Sequence, residues 1–114
     1  MHEMSLAGGI LKLVEDAAAR EHFGRVTRLR LEAGKLAGVE LVSLRFALDV
    51  VARGTCLEGA AIDIDEPPGQ AWCMKCCCSV EIVERAQPCP SCGSFQLQVS
   101  GGEGLRVVDL MVDD

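Results

Sequence analysis

The first periodic stretch of the chain is helical: Leu6, Ile10, Leu13 and Ala17 recur at steps of four, three and four, and Leu11 and Val14 widen the apolar stripe. Ser5 stands just ahead of it as the candidate N-cap. His22 and Gly24 mark its end, where the helix dipole favours a cationic side chain. Gly8 and Gly9 fall inside the first turns, where each costs roughly 1 kcal/mol relative to alanine. They either loosen the helix start or let another backbone come close. From Arg25 to Ala33 the period changes to two, with Arg28, Arg30 and Glu32 alternating with Leu29, Leu31 and Ala33, which predicts a strand with one wet face. Gly34 and Gly38 bracket a turn, and Leu41, Leu44, Leu48 and Val51 predict a second amphipathic helix that ends near Gly54. Ile62 and Ile64 alternate with Asp63 and Asp65 in a second strand, and Val108, Leu110 and Val112 with Asp109 and Asp113 in a third. If the second strand runs antiparallel beside the first, its carboxylates either oppose Arg28 and Arg30 or only keep the sheet face wet.

Two breaks interrupt this pattern, Pro67-Pro68-Gly69 and Ser100-Gly101-Gly102-Glu103-Gly104. Between them Ile82 and Val83, then Phe95, Leu97 and Val99, predict short ribbon strands flanking two cysteine turns. The expected fold is therefore α+β: two helices on a three-stranded sheet, with a zinc-ribbon domain inserted. Residues 1–66 plus 104–114 form the main domain and 67–103 the ribbon. With Gly and Pro at both crossings, the insert is expected to change its angle to the main domain.

Cys73-x-x-Cys76 and Cys89-x-x-Cys92 are separated by twelve residues, so two tight turns can each present two sulfurs to one ion. Pro90 stiffens the second turn and Gly93 lets the backbone bend after it. In the first turn Cys76, Cys77 and Cys78 follow one another, and only Cys76 keeps the two-residue gap from Cys73. The expected structural zinc ligands are Cys73, Cys76, Cys89 and Cys92, with Cys56, Cys77 and Cys78 left over. Disulfides are the competing reading, but seven cysteines, an odd number, and no leader segment fit a reducing compartment better.

Composition narrows the function classes. Aromatics make up only 4% of the residues, so the core must be built from Leu, Val, Ile and Ala. No apolar run approaches the ~20 residues that span a bilayer, and a soluble, cytoplasmic protein without a membrane partner is expected. The formal charge of −6, which four zinc-bound thiolates make more negative, argues against nucleic acid as the main partner. Phosphate-binding, dinucleotide and nucleophile-elbow motifs are absent, and the two histidines lie at opposite ends of the first helix, so no enzyme is expected. A vicinal Cys77-Cys78 pair is the one opening for redox chemistry.

His2 has chemistry no internal histidine has. The amine of Met1, the amide nitrogen of His2 and its imidazole can close around one ion, with Glu3 filling a fourth position. Such a nitrogen-rich planar set suits Ni(II) or Cu(II) better than zinc. The other reading is a frayed terminus with a solvated imidazole.

Met1-His2-Glu3-Met4-Ser5-Leu6, Arg25-Val26-Thr27, the stretch from Ser43-Leu44-Arg45-Phe46 to Asp49-Val50-Val51-Ala52-Arg53-Gly54-Thr55, and the turns Trp72-Cys73-x-x-Cys76 and Cys89-Pro90-x-Cys92-Gly93-Ser94 together resemble the HypA/HybF family of hydrogenase maturation factors. The resemblance implies a nickel metallochaperone that carries Ni(II) at His2, with the N-terminal amine and Glu3 close by. It implies structural zinc on the four ribbon cysteines. The implied partners are the GTPase HypB and the large-subunit precursor of a [NiFe]-hydrogenase, and urease maturation proteins for some members. Gly8-Gly9 and Cys77-Cys78 depart from the family pattern. A zinc-ribbon module that binds nucleic acid or serves transcription is the alternative from another class.

Overall fold

The computed structural model describes residues 2–113, which gather into two compact units. The first holds residues up to Leu31, Val39–Ile64 and the chain from Val107 onward. The second holds Glu32–Gly38 and Asp65–Arg106.

In the first unit, helix α1 spans His2–Glu21 and buries Ala7, Ile10 and Val14, the stripe expected from their spacing. It starts four residues earlier than a Ser5 cap requires: Ser5 is exposed within the helix and caps nothing. The reason is a tertiary contact, since Glu3 in the first turn accepts a hydrogen bond from the Glu40 backbone N–H at 3.2 Å. A carboxylate in that turn also suits the helix dipole. Gly8 and Gly9 are exposed, and a Cβ on either would meet nothing within 4 Å. Among the described residues no other backbone approaches them, so they only weaken the helix. Gly8→Ala with Gly9→Ala is expected to stabilise the protein by about 1–2 kcal/mol in urea denaturation; no change in midpoint would refute this. At the other end His22 takes a left-handed conformation (φ 60°), and Phe23 N–H reaches back to the Ala18 carbonyl at 3.3 Å, so His22 sits where helices usually place glycine.

Strand β1 (Arg25–Ala33) is followed by a single 3₁₀ turn at Lys35–Ala37, then α2 (Leu41–Ala52), which Glu40 caps by accepting from Val42 N–H. Strand β2 (Ala61–Asp65) and the last strand, β6 (Leu105–Asp113), flank β1 in the order β2-β1-β6. Because β1 is central, its two arginines divide: Arg28 pairs with Asp63 of β2 at 2.6 Å, whereas Arg30 forms a two-bond fork to Asp109 of β6 at 2.9 and 3.0 Å. Of the two readings of the acidic strand, a carboxylate opposite an arginine is what the Arg28–Asp63 pair shows.

In the second unit β3 (Gly69–Cys73) pairs antiparallel with β4 (Cys78–Ile82) and with β5 (Leu97–Gly101). Sequence patterning misses β3, because the Pro67-Pro68-Gly69 break and the metal turn leave it only five residues. Ala71, Cys73, Val80 and Ile82 point inward and Trp72 outward. Leu36, from the 3₁₀ turn, is buried in the same cluster. Among the described residues, no helix is long and apolar enough to cross a membrane.

Candidate metal centres

Each half of the cysteine site is a tight turn built the same way. In the first, Cys77 N–H closes on the Cys73 carbonyl at 2.8 Å, and Cys76 N–H donates to Cys73 Sγ at 3.3 Å. In the second, Gly93 N–H closes on the Cys89 carbonyl at 2.9 Å, and Ser91 N–H donates to Cys89 Sγ at 3.4 Å. Gly93 has φ 76° and Cys77 has φ 54°. Cys77 thus stands where the second turn uses glycine. It is a turn residue, exposed, with its thiol near the Met74 carbonyl at 3.6 Å.

The turns bring Cys73, Cys76, Cys89 and Cys92 together with all four sulfurs within 4.8 Å of one another. Cys73 Sγ lies 3.7 Å from Cys92 Sγ, and Cys76 Sγ 3.9 Å from Cys89 Sγ. A tetrahedron with metal–sulfur bonds of about 2.3 Å has sulfur–sulfur edges of about 3.8 Å, so the residues fit one ion. The same distances are far beyond the ~2.05 Å of a disulfide. This is the sole group of three or more possible metal ligands among the described residues, and Cys77 and Cys78 are outside it.

The thiols are not equivalent. Backbone N–H groups of Cys92 and Ser91 hold the buried Cys89 thiol down, at about 7. Shared hydrogen bonds with the Cys92 and Cys73 sulfurs, together with burial, push Cys76 up. Four thiolates cannot collect without a cation, and the ion that binds must displace a proton from Cys76. Because the Cys89 value lies below that of an ordinary thiol, its thiolate fraction is lost as pH falls through about 7. Zinc uptake by the metal-free protein is therefore expected to slow between about pH 8 and pH 6, measured by stopped flow against a zinc indicator. A rate flat across that range would contradict it.

At the other candidate site His2 is the first residue of α1 and is exposed. Glu3 follows, half-buried, and the Glu40 N–H holds its carboxyl below the usual carboxylate range. Glu3 is thus a fixed anion beside the imidazole. The Met1 amine, the third expected donor, lies outside the described residues. Sequence reasoning missed Glu40, 37 residues from Glu3; no local pattern points to it.

Residues 1–112 match the family model described as HypA: hydrogenase/urease nickel incorporation, metallochaperone. The chain belongs to the HypA family. The hydrogenase maturation factor HypA of Cupriavidus necator is 62% identical over 114 residues, which is all of this chain and 96% of that one. That of Polaromonas naphthalenivorans is 61% identical over 114 residues, covering 100% and 99%. The fold is also that of the solution structure of the Ni metallochaperone HypA from Helicobacter pylori, with TM-score 0.69 and 17% identity over 96% of both chains. A second HypA solution structure gives 0.72 and 18%, covering 98% of this chain and 96% of that one. This HypA family member is therefore a metallochaperone of hydrogenase maturation with a four-cysteine metal site. The nucleic-acid alternative is not favoured, and Arg28, Arg30, Lys35, Arg85 and Arg106 each lie within ion-pair distance of a carboxylate.

Proposed function

We propose that this protein carries Ni(II) at the start of α1, on His2 with the Met1 amine, the His2 amide and Glu3, and hands it to the large-subunit precursor of a [NiFe]-hydrogenase. The observation that carries this reading is the match of residues 1–112 to a nickel-incorporation family. The local structure supports the assignment to His2. A helix leaves its first N–H groups without intrahelical acceptors, so an amide there has no helical bond to give up. His2 is exposed, and Glu3 is held as an anion next to it. Such a site can be opened one donor at a time, as release to a client requires. Nitrogen donors suit Ni(II), whereas four thiolates in a tetrahedron suit zinc, so the cysteines hold zinc as a resident structural ion. The chain works as a carrier, with no reaction of its own.

The HypB GTPase is the partner in nickel delivery, and urease maturation proteins are a second class of client. The seven cysteines are all unpaired in the structure, which supports the reducing cytoplasm as the compartment.

The experiment is to block the first donor. Acetylating the Met1 amine, or placing Gly-Ser ahead of it, is expected to remove stoichiometric nickel binding in calorimetry while zinc content stays at one per chain. Nickel uptake and delivery unchanged by either modification would overturn the site.

A further inference from the structure

Glu32–Gly38, the last two residues of β1 and the turn that leads towards α2, gathers with the cysteine ribbon. Its attachments are specific. Gly34 N–H bonds to the Gly104 carbonyl, Lys35 N–H to the Pro67 carbonyl and Leu36 N–H to the Gly102 carbonyl, each at 2.9 Å. One short segment thereby holds both ends of the ribbon, the one that enters at Pro67 and the one that leaves at Gly102 and Gly104. The backbones come so close that a Cβ on Gly34 would lie 2.1 Å from the Gly102 carbonyl oxygen, and one on Gly102 2.6 Å from the Gly69 Cα. Leu36, 4% exposed, belongs to one buried cluster with Ala71, Cys73, Val80, Ile82 and Cys89.

The four sulfurs divide accordingly. Cys73 and Cys89 are buried in Leu36's cluster, Cys76 is half-buried against it and Cys92 is exposed. A competing chelator can reach Cys92 and then Cys76 from solvent. Cys73 and Cys89 let go only when the core that contains Leu36 loosens. We propose that Glu32–Gly38 is a non-ligating arm of the metal site, with Leu36 as a positioning residue that holds Cys73 and Cys89 and so sets how slowly the site gives up its ion. This rests on reading the cysteines as a resident zinc site, which metal analysis of the purified protein tests by itself.

The experiment follows zinc release from the full-length zinc-loaded protein into excess 4-(2-pyridylazo)resorcinol by absorbance. Leu36→Ala is expected to release zinc at least about tenfold faster, and Leu36→Met within about twofold of wild type. Leu48→Ala removes an equally buried leucine from the first unit and is expected to leave the rate unchanged. Wild-type release from Leu36→Ala, or equal acceleration by Leu48→Ala, would overturn the arm's role. If Leu36→Ala cannot be purified with zinc, hydrogen exchange on the wild type decides. The Lys35 and Leu36 amides should lose protection on zinc removal while the Val26 amide, bonded to the Cys56 carbonyl, keeps it. Protection of Leu36 that persists without zinc would refute the proposal.

Discussion

His2→Ala is expected to abolish specific nickel loading and to change little else. Loss of a ligand should exceed the roughly 10–100-fold that loss of a supporting neighbour costs a metal site, so equilibrium dialysis at micromolar nickel should find no stoichiometric binding. His2 is exposed, so stability should move by no more than about 0.5 kcal/mol. Zinc content should stay at wild-type level, because the four cysteines belong to the other unit. The three readouts separate a ligand from a structural residue. A variant that lost nickel and zinc together would point to misfolding, and one that kept one tight nickel per chain would remove His2 from the site.

How much of this was legible in the sequence depended on how local each signal is. The cysteine turns were readable because a two-residue gap lets one turn aim two sulfurs at one point, and the structure brings those four together and leaves Cys77 and Cys78 out. The helices and the strands of the β2-β1-β6 sheet were readable from their periods of 3.6 and 2. What was not legible was set by distant partners. The helix start at His2 depends on Glu40, and the fork of Arg30 to Asp109 depends on β1 lying between β2 and β6. Leu36 looked like part of a loop between two glycines, and only the tertiary structure puts it in a metal-site core. Cys77 was unreadable for another reason: left-handed geometry at a cysteine goes against residue preference, and only comparison with Gly93 in the matching turn accounts for it.

Cys89→Ala should produce the opposite defect to His2→Ala. Cys89 contributes a sulfur, a place in the ribbon core and an anchored backbone, its N–H bonding to the Ser94 carbonyl at 2.8 Å. Among the described residues the buried part of that core is six residues, two of them cysteine ligands, too little apolar surface to hold the ribbon by itself. The free energy of a structural zinc, on the order of 10–16 kcal/mol in small zinc-dependent folds, is therefore folding energy here. A three-sulfur site forfeits much of it. Zinc should fall well below one per chain, and the ribbon should lose its fixed structure. Trp72, the single tryptophan, sits in β3 and reports this directly: its near-ultraviolet dichroism should flatten. The far-ultraviolet helical signal should persist, because α1 and α2 bury Val14, Leu44 and Leu48 in the unit that has no cysteine ligand. Cys77→Ser is the matched control: it removes an exposed thiol outside the four-sulfur group and should leave zinc and Trp72 unchanged. Full zinc occupancy and an unaltered melt in Cys89→Ala would mean that the ribbon folds without its fourth sulfur. The division between one ion held for structure and another carried for delivery would then lose its physical basis.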